Sequence, residues 1–229
     1  MKKFDAVIFD MDGVIFDSER AWLECWKELA EKYGINGVED AVIACTGTTM
    51  ERTREIILER YGEDFPYDEY AKESSVIFHR KYVGGRLPVK KGAEDILKFL
   101  KLNGIKTALA SSTRKATVVS ELRAAGLLEY FNELITGEMV QRSKPAPDIF
   151  LLACEKVGVK PENAYAIEDS YNGIRAAAAA GMRPVMVPDR LAPTEEMERT
   201  AFLILPSLTA VLEHLKADHC GASGESLNK

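Results

Sequence analysis

The sequence predicts an α/β protein in which a Rossmann-like parallel-sheet core carries an inserted, all-helical cap domain. Three observations support this fold class. Residues 4–9 form a short apolar run rich in β-branched and aromatic side chains, which is typical of a buried strand. Residues 18–84 show helical spacing and no convincing strand. After Pro88, strand and helix patterns alternate, and such alternation predicts a parallel sheet with helices on both sides.

The inserted segment is predicted to contain four helices. The first covers residues 18–33, where Trp22, Trp26 and Leu29 share one face and Gly34 ends the helix. The other three helices cover residues 38–44, 50–61 and 67–83. Because none of this segment can pair with the strand at residues 4–9, that strand must join the sheet formed by the later part of the chain.

The later part of the chain supplies the remaining elements of the core. The predicted strands cover residues 105–110, 134–136, 164–167, 184–187 and 202–205. The predicted helices cover residues 92–102, 113–125, 147–157 and 171–180, and a last helix begins at Ser207. We therefore divide the chain into a core (residues 1–17 and 85–216), a cap (residues 18–84) and a flexible polar tail (residues 217–229), with hinges after Asp17 and at Gly84-Gly85.

Composition excludes several classes of protein. The chain is 46% hydrophobic and 29% charged, as in ordinary globular proteins, and its net charge of −6 argues against non-specific binding to nucleic acid or anionic membranes. The first apolar run is too short for a signal peptide, and no stretch has the length of a membrane span. Scattered cysteines without a C-x-x-C pair indicate a reducing compartment. We expect a cytoplasmic protein, with a monomer as the default.

Polar side chains follow four of the predicted strands, where ligands bind in open parallel sheets. In chain order these residues are Asp10 and Asp12, then Ser111, Ser112 and Thr113, then Lys144, and finally Glu168 and Asp169. All four groups would converge at one edge of the sheet. The convergence places several carboxylates, hydroxyl groups before a helix and one lysine together.

This combination meets the needs of phosphoryl transfer. Crowded carboxylates repel one another and favour a hard cation, for which we expect Mg²⁺. Ser111 and the amides of the following helix can hold phosphate oxygens, and Lys144 adds a positive charge. An aspartate can attack phosphorus while a second carboxyl group protonates the leaving oxygen. Ser112 is a further candidate for phosphate binding, although it and Thr113 could equally serve as caps of the helix.

The order of these motifs resembles the haloacid dehalogenase superfamily. The residues that carry the resemblance are Asp10-Met11-Asp12-Gly13, Ser111, Lys144 and Glu168-Asp169, with a helical cap between the first two motifs. The resemblance is strongest to the phosphatase and β-phosphoglucomutase branch. The strings DSE at residues 17–19, KPAPDIF at residues 144–150 and EDS at residues 168–170 are typical of that branch.

The resemblance implies a role for each residue. Asp10 would be the nucleophile and a metal ligand, and Asp12 would be the general acid and base, with its backbone carbonyl on the metal. Asp169 would be a metal ligand. Glu168 would lie close to or in the metal shell, with support behind the ligands as the rival role. The implied phosphate-binding residues are Ser111 and Lys144.

The resemblance also implies where specificity lies. The cap loop at residues 45–49 would enter the active site, which makes Thr46, Gly47 and Thr48 candidate specificity residues, together with Trp22. We therefore expect an enzyme, a phosphatase that hydrolyses a small phosphorylated metabolite such as a sugar or polyol phosphate through an aspartyl-phosphate.

Two alternatives remain. A β-phosphoglucomutase-like enzyme would carry a cap lysine where Thr46 stands, an arginine where Met50 stands and a histidine where Trp22 stands, so the cationic site for a second phosphate is missing. A non-enzymatic regulatory protein could keep the site as a pocket for a phosphorylated ligand, but the complete set of acid, nucleophile, lysine and metal residues argues against it.

Overall fold

The structure, a computed structural model, describes residues 4–46, 48 and 50–221. Its core is a six-stranded sheet in the order β3-β2-β1-β4-β5-β6, and all neighbouring strands are parallel. The strands are β1 (Ala6–Phe9), β2 (Lys106–Ser111), β3 (Glu133–Thr136), β4 (Ala164–Glu168), β5 (Arg183–Met186) and β6 (Leu203–Ile204). The α/β fold class that the alternating pattern predicts is confirmed.

The first strand lies at the centre of the sheet. All four residues of β1 are fully buried, and Ala6 is in register with Lys106 of β2 on one side and Ala164 of β4 on the other. A strand covered on both faces needs apolar side chains at every position, which explains the continuous run AVIF. The helical segment that follows β1 in the chain therefore interrupts a sheet whose next strand begins about a hundred residues later.

Among the described residues, four α-helices lie in the inserted segment and six in the core. The inserted helices are α1 (Ser18–Ala30), α2 (Val38–Cys45), α3 (Met50–Tyr61) and α4 (Tyr67–Tyr82). The core helices are α5 (Ala93–Leu102), α6 (Lys115–Ala124), α7 (Asp148–Val157), α8 (Tyr171–Ala179), α9 (Glu195–Thr200) and α10 (Leu208–His219). One apolar cluster joins the sheet to α5 and α10, and another joins it to α7 and α8, so helices cover both faces. In α8, Ala176 and Ala177 are fully buried and allow close packing against the sheet.

The inserted helices share an aromatic cluster of their own. Tyr70 is fully buried at its centre and makes edge contacts with Trp26 and Tyr33. Its hydroxyl donates a 2.9 Å hydrogen bond to the Trp26 carbonyl oxygen, which satisfies the polar end of the ring. Trp22 lies nearer the core and stacks on Phe78, with ring centroids 4.2 Å apart.

Two linkers connect the inserted helices to the core and run side by side. The Asp17 amide donates to the Pro88 carbonyl at 2.8 Å, and the Lys90 amide donates to the Ile15 carbonyl at 2.9 Å. Phe16 and Val89 form an antiparallel bridge between these contacts. The two linkers therefore enter and leave the core at the same point.

Two differences from the predicted elements have clear physical reasons. Helix α9 was not predicted because it is short, although Thr194 is a recognisable N-cap whose hydroxyl accepts from the Met197 amide. Helix α10 continues through His219, beyond the predicted start of the tail at Ala217. Tyr165 donates a hydrogen bond to Asp218, and the His219 ring contacts Phe4, so this last turn has partners in the core.

Among the helices of the described residues, none combines the length and the hydrophobicity that a membrane span requires.

Candidate active site

A cavity of about 540 Å³ lies where the carboxyl ends of the central strands face the inserted helices. The core contributes side chains from the four loops that the sequence singles out. These residues are Asp10 and Asp12, Ser112 and Thr113, Ser143 and Lys144, and Asp169, Ser170 and Asn172. The inserted segment contributes Glu19, Trp22, Thr46, Thr48, Met50 and Glu51. The core side of the cavity is thus lined mainly by acidic and hydroxyl side chains with one lysine, and the side formed by the inserted helices is lined by acidic, hydroxyl and apolar side chains.

Lys144 joins three of the strand ends at the floor of this cavity. Its ammonium donates to the Asp10 carboxylate at 2.5 Å, to the Glu168 carboxylate at 2.7 Å and to the Ala110 carbonyl at 2.9 Å. The lysine side chain is only 8% exposed. Since each contact reaches a different strand end, the ammonium fixes the relative positions of Asp10 and Glu168.

Glu168 is held from both of its oxygens. One oxygen accepts from Lys144, and the other accepts from the amides of Asp169 and Ser170 and from the Ser170 hydroxyl. Ser170 in turn caps helix α8 by accepting from the Gly173 amide at 3.0 Å. A Cβ at Gly173 would lie 1.8 Å from the Glu168 carboxyl carbon, so this glycine leaves the space that the carboxylate fills.

Gly13 serves Asp169 in the same way. Its φ is +78°, a conformation that favours glycine, and a Cβ there would lie 2.2 Å from an oxygen of Asp169. The D-x-D-G turn after β1 therefore requires glycine at its fourth position for two reasons, backbone conformation and space. Asp169 can then lie against the turn that carries Asp10 and Asp12.

Burial and crowding raise the pKa values of the acidic groups. Burial raises the pKa of Asp10 to about 7; the Lys144 charge opposes this shift, and the charges of Glu168 and Asp12 add to it. Burial, followed by the charges of Glu168 and Asp10, raises the pKa of Asp169 well above its usual range. Burial disfavours the Lys144 charge, but Asp10 and Glu168 hold the pKa of this ammonium above its ordinary value. One ammonium thus contacts two buried carboxyl groups, Asp10 and Glu168, while their charges also act on the buried Asp169. Such crowding of carboxyl groups favours a bound cation.

The expected metal ligands are the Asp10 and Asp169 carboxylates and the Asp12 backbone carbonyl, with Glu168 close to or in the metal shell. Within residues 4–46, 48 and 50–221, no group of three or more His, Cys, Asp or Glu side chains forms a ready-made metal site. Both Glu168 oxygens are engaged, and a carboxylate oxygen of Asp12 accepts a 2.9 Å hydrogen bond from the Thr113 hydroxyl. The carboxylates of Asp10, one oxygen of which contacts Lys144, and of Asp169 are both buried beside the cavity and could take part in holding a cation.

Two of the predicted phosphate-binding residues, Ser112 and Lys144, line the cavity, and Ser111 does not. Ser111 is fully buried, and its hydroxyl accepts a 3.0 Å hydrogen bond from the Thr113 amide. Ser111 therefore stabilises the conformation of the loop after β2 and does not face the cavity. Thr113, for which capping the helix and contacting phosphate are equally compatible with the sequence, lines the cavity and contacts Asp12. The signal that could have identified it is its position between a strand end and a helix start.

On the cap side, three of the candidate specificity residues, Trp22, Thr46 and Thr48, line the cavity, and the fourth, Gly47, lies outside the described residues. Glu19, which the sequence presents only as part of the DSE string, also lines the cavity. Burial, followed by the charges of Asp12 and Asp189, raises the pKa of Glu19 to about 7. The Thr46 hydroxyl lies 3.4 Å from the Glu19 carboxylate. Position two residues after Asp17, at the start of the first cap helix, is the sequence signal that could have identified Glu19.

Comparisons with known proteins agree with this geometry. Residues 4–181 match the family model described as haloacid dehalogenase-like hydrolase. The phosphorylated carbohydrates phosphatase of Thermotoga maritima is 34% identical over 182 residues, which cover 79% of this chain and 83% of the relative. The β-phosphoglucomutase of Bacillus subtilis is 34% identical over 190 residues, covering 80% of this chain and 82% of the relative.

A solved structure extends the similarity to three dimensions. A haloacid dehalogenase family hydrolase of Deinococcus radiodurans R1, with bound phosphate and sodium, superposes with a TM-score of 0.80 at 26% identity, covering 95% of this chain and 97% of that one. Together with the named phosphatase relative, this confirms the prediction of an enzyme of the phosphatase type. The chain belongs to the haloacid dehalogenase-like hydrolase family, in the branch that contains phosphatases and β-phosphoglucomutase.

Proposed function

We propose that this enzyme is a magnesium-dependent phosphatase that hydrolyses a sugar or polyol phosphate through an aspartyl-phosphate on Asp10. The observation that carries the proposal is the 2.5 Å contact between the Lys144 ammonium and the Asp10 carboxylate on the cavity floor. The contact orients the carboxylate and supplies a positive charge beside it. A phosphate that enters the cavity meets both the nucleophile and this charge.

The reaction takes place in two displacements at phosphorus. An Asp10 oxygen attacks phosphorus, the bond to the leaving oxygen breaks, and Asp12 gives that oxygen a proton. Asp12 then accepts a proton from water as the water oxygen attacks the same phosphorus, which releases phosphate and restores Asp10. The Thr113 hydroxyl, 2.9 Å from the Asp12 carboxylate, holds this acid and base in position.

The residues fit a divalent cation, for which we propose Mg²⁺. The Asp10 and Asp169 carboxylates and the Asp12 backbone carbonyl would hold it, and Gly13 provides the space for Asp169 beside them. When bound, the ion supplies positive charge that offsets the carboxylates and the phosphate oxygens. Glu168 keeps a supporting role, because its contacts place Lys144 and the start of helix α8.

The cap side of the cavity supports an uncharged, hydroxylated leaving group. Its described lining residues include the carboxylates of Glu19 and Glu51 and the hydroxyls of Thr46 and Thr48, together with the indole of Trp22. Carboxylates and hydroxyls accept hydrogen bonds from sugar hydroxyls, whereas carboxylates repel a second phosphate. The relative from Thermotoga maritima is named for phosphorylated carbohydrates, in keeping with this chemistry.

The covalent mechanism is tested by Asp10→Asn. The amide has nearly the same shape but is a poor nucleophile, so we expect hydrolysis of p-nitrophenyl phosphate with Mg²⁺ to fall by at least about a thousandfold. Asp5→Asn, at an exposed aspartate just before β1, is the matched control and should keep activity. Circular dichroism should show both variants folded. Asp10→Asn with wild-type turnover would contradict the mechanism.

The β-phosphoglucomutase relative makes sugar phosphomutase activity the second candidate. Incubation with β-glucose 1-phosphate, Mg²⁺ and a sugar bisphosphate activator separates the two reactions. We expect phosphate release to exceed isomerisation, since the described cap-side lining has no lysine or arginine for a second phosphate. Isomerisation faster than phosphate release would reverse this ranking. Absence of both products over a broad panel of phosphorylated metabolites would instead favour a regulatory, non-enzymatic role.

A further inference from the structure

A fifth loop approaches the site from strand β5, which lies next to β4 in the sheet. Asp189 follows the end of β5 by three residues. One Asp189 oxygen is 2.6 Å from the Lys90 ammonium, and the same ammonium is 3.8 Å from an oxygen of Asp17. The exposed fractions of the three side chains are 23% for Lys90, 24% for Asp17 and 13% for Asp189, so these charges are largely shielded from water.

Lys90 occupies a special place in the chain. It lies on the linker that leaves the inserted helices, and Asp17 ends the linker that enters them, directly before α1. Backbone hydrogen bonds join the two linkers to each other. The Lys90 ammonium adds a contact of a different kind, because it ties both linkers to the β5 loop of the core.

The Lys90–Asp189 ion pair also affects the electrostatics of the cavity. The charge of Asp189 acts on both Asp169 and Glu19, on opposite sides of the cavity, and contributes to their raised pKa values after burial. The other Asp189 oxygen is buried and has no hydrogen-bond partner among the described residues. Lys90 is therefore a cation that partly offsets a carboxylate whose charge reaches both sides of an already acidic site.

We propose that Lys90 is a positioning residue for the phosphatase reaction: it holds the cap linkers against the β5 loop and thereby sets where the cap residues stand over Asp10. The inference rests on the proposed function. Glu19 and Trp22, which line the cavity, follow Asp17 by two and five residues. Without the ammonium, Asp17 and Asp189 repel each other across the junction, and the start of α1 moves away from the core.

The kinetic test compares Lys90→Met with Lys91→Met, because Lys91 is the exposed neighbour on the same linker. For the best sugar phosphate found in a substrate screen, Lys90→Met should raise KM about tenfold or more while kcat changes less than about threefold. For p-nitrophenyl phosphate, whose leaving group offers no sugar hydroxyls, kcat/KM should change less than about threefold. Lys91→Met should have the KM and kcat of wild type. Lys90→Arg keeps a positive charge at this position, so its KM for the sugar phosphate should be close to that of wild type.

Three kinetic outcomes would overturn the inference. These are equal kinetics for Lys90→Met and Lys91→Met, an equal loss on both substrates, and strictly additive effects of Lys90→Met and Asp189→Asn in a double-mutant cycle. Additivity would mean that the ion pair does not act as a unit.

Hydrogen exchange separates this inference from the proposed function. Peptides that span the first linker and the start of α1 should exchange faster in Lys90→Met than in Lys91→Met, whether or not a substrate is known. If wild type hydrolyses no phosphate ester but this difference appears, the proposed function fails and the positioning contact stands. If wild type is an active phosphatase and exchange is the same in both variants, the proposed function stands and the positioning role is wrong.

Discussion

The Asp10 carboxylate and the Lys144 ammonium are 134 positions apart in the chain and 2.5 Å apart in the structure. At the scale of the residue, the site depends on such pairs and on the small residues that make room for them. Gly13 and Gly173 make room for two of the carboxylates, because a Cβ at either position would occupy the place of the Asp169 or Glu168 side chain. The positions of the two carboxylates thus depend on glycine at both places.

Gly13→Ala tests this requirement. The methyl group would lie 2.2 Å from Asp169, so we expect the carboxylate to shift, the concentration of Mg²⁺ needed for half-maximal activity to rise, and kcat/KM to fall by about a hundredfold or more. Gly181→Ala is the matched control, since Gly181 has nearly the same φ of +77° and no atom within 4 Å of the added methyl. Both variants carry the backbone cost of about 1–2 kcal/mol. Equal activity in the two variants would show that a methyl group at position 13 does not displace the Asp169 carboxylate.

Glu19→Gln tests the electrostatics of the cap side. Burial, followed by Asp12 and Asp189, raises the pKa of Glu19 to about 7 in the folded state, so the folded protein binds this proton more tightly than the unfolded chain does. The free energy of unfolding should therefore fall as pH rises from about 5 to about 7 and stay lower above that range. The glutamine variant lacks this loss and should be more stable than wild type by about 1–2 kcal/mol at about pH 8.

Urea unfolding of metal-free protein at several pH values measures this difference. The two proteins should converge at about pH 5, where Glu19 is protonated in the folded state. Glu31→Gln, at an exposed residue beyond the end of the same helix, should run parallel to wild type at every pH. A constant difference between Glu19→Gln and wild type across the range would show that Glu19 does not titrate as described.

At the scale of the element, the linker between the inserted helices and the core contains two adjacent glycines. Gly84 and Gly85 have almost the same left-handed φ, +85° and +84°. They differ in surroundings: a Cβ at Gly84 meets no atom within 4 Å, whereas one at Gly85 lies 3.0 Å from the Ala124 methyl group and 3.2 Å from its carbonyl oxygen. Packing against α6 therefore distinguishes two adjacent glycines that the sequence presents as equivalent.

Gly84→Ala and Gly85→Ala form a matched pair. Each should lose about 1–2 kcal/mol from the left-handed backbone conformation. Gly85→Ala should lose a further 1–3 kcal/mol, approximately, because the linker or α6 must move to admit the methyl group. Thermal unfolding of the two variants measures the difference. Equal losses would mean that the linker is free to shift away from α6.

At the scale of the whole molecule, the pattern of strands and helices could be predicted because it depends on local apolar spacing. The buried run of β1, the alternation after Pro88 and the convergence of four loops all follow from chain order and the geometry of parallel sheets. Short elements with few apolar residues are harder to predict from apolar spacing, and α9, with the sequence EEMERT, is absent from the prediction for that reason.

The direction in which each side chain points could not be predicted. Ser111 and Ser112 are adjacent and chemically identical, yet Ser111 is buried behind the loop and Ser112 lines the cavity. Glu168 turns both oxygens toward Lys144 and the start of α8, which no sequence motif indicates. Glu19 and Asp189 approach the site from outside the four loops, because the inserted helices and strand β5 bring them there.

The central claim is that Asp10 carries the phosphoryl group between the two displacements. Asp12→Asn should trap this state, because p-nitrophenolate leaves without a proton donor while the later attack by water still needs a base. After rapid mixing with p-nitrophenyl phosphate and Mg²⁺ and an acid quench, we expect mass spectrometry to find one phosphoryl group on the peptide that contains Asp10. A burst of p-nitrophenol with no phosphoryl group on Asp10, or with the group on another residue, would contradict the account.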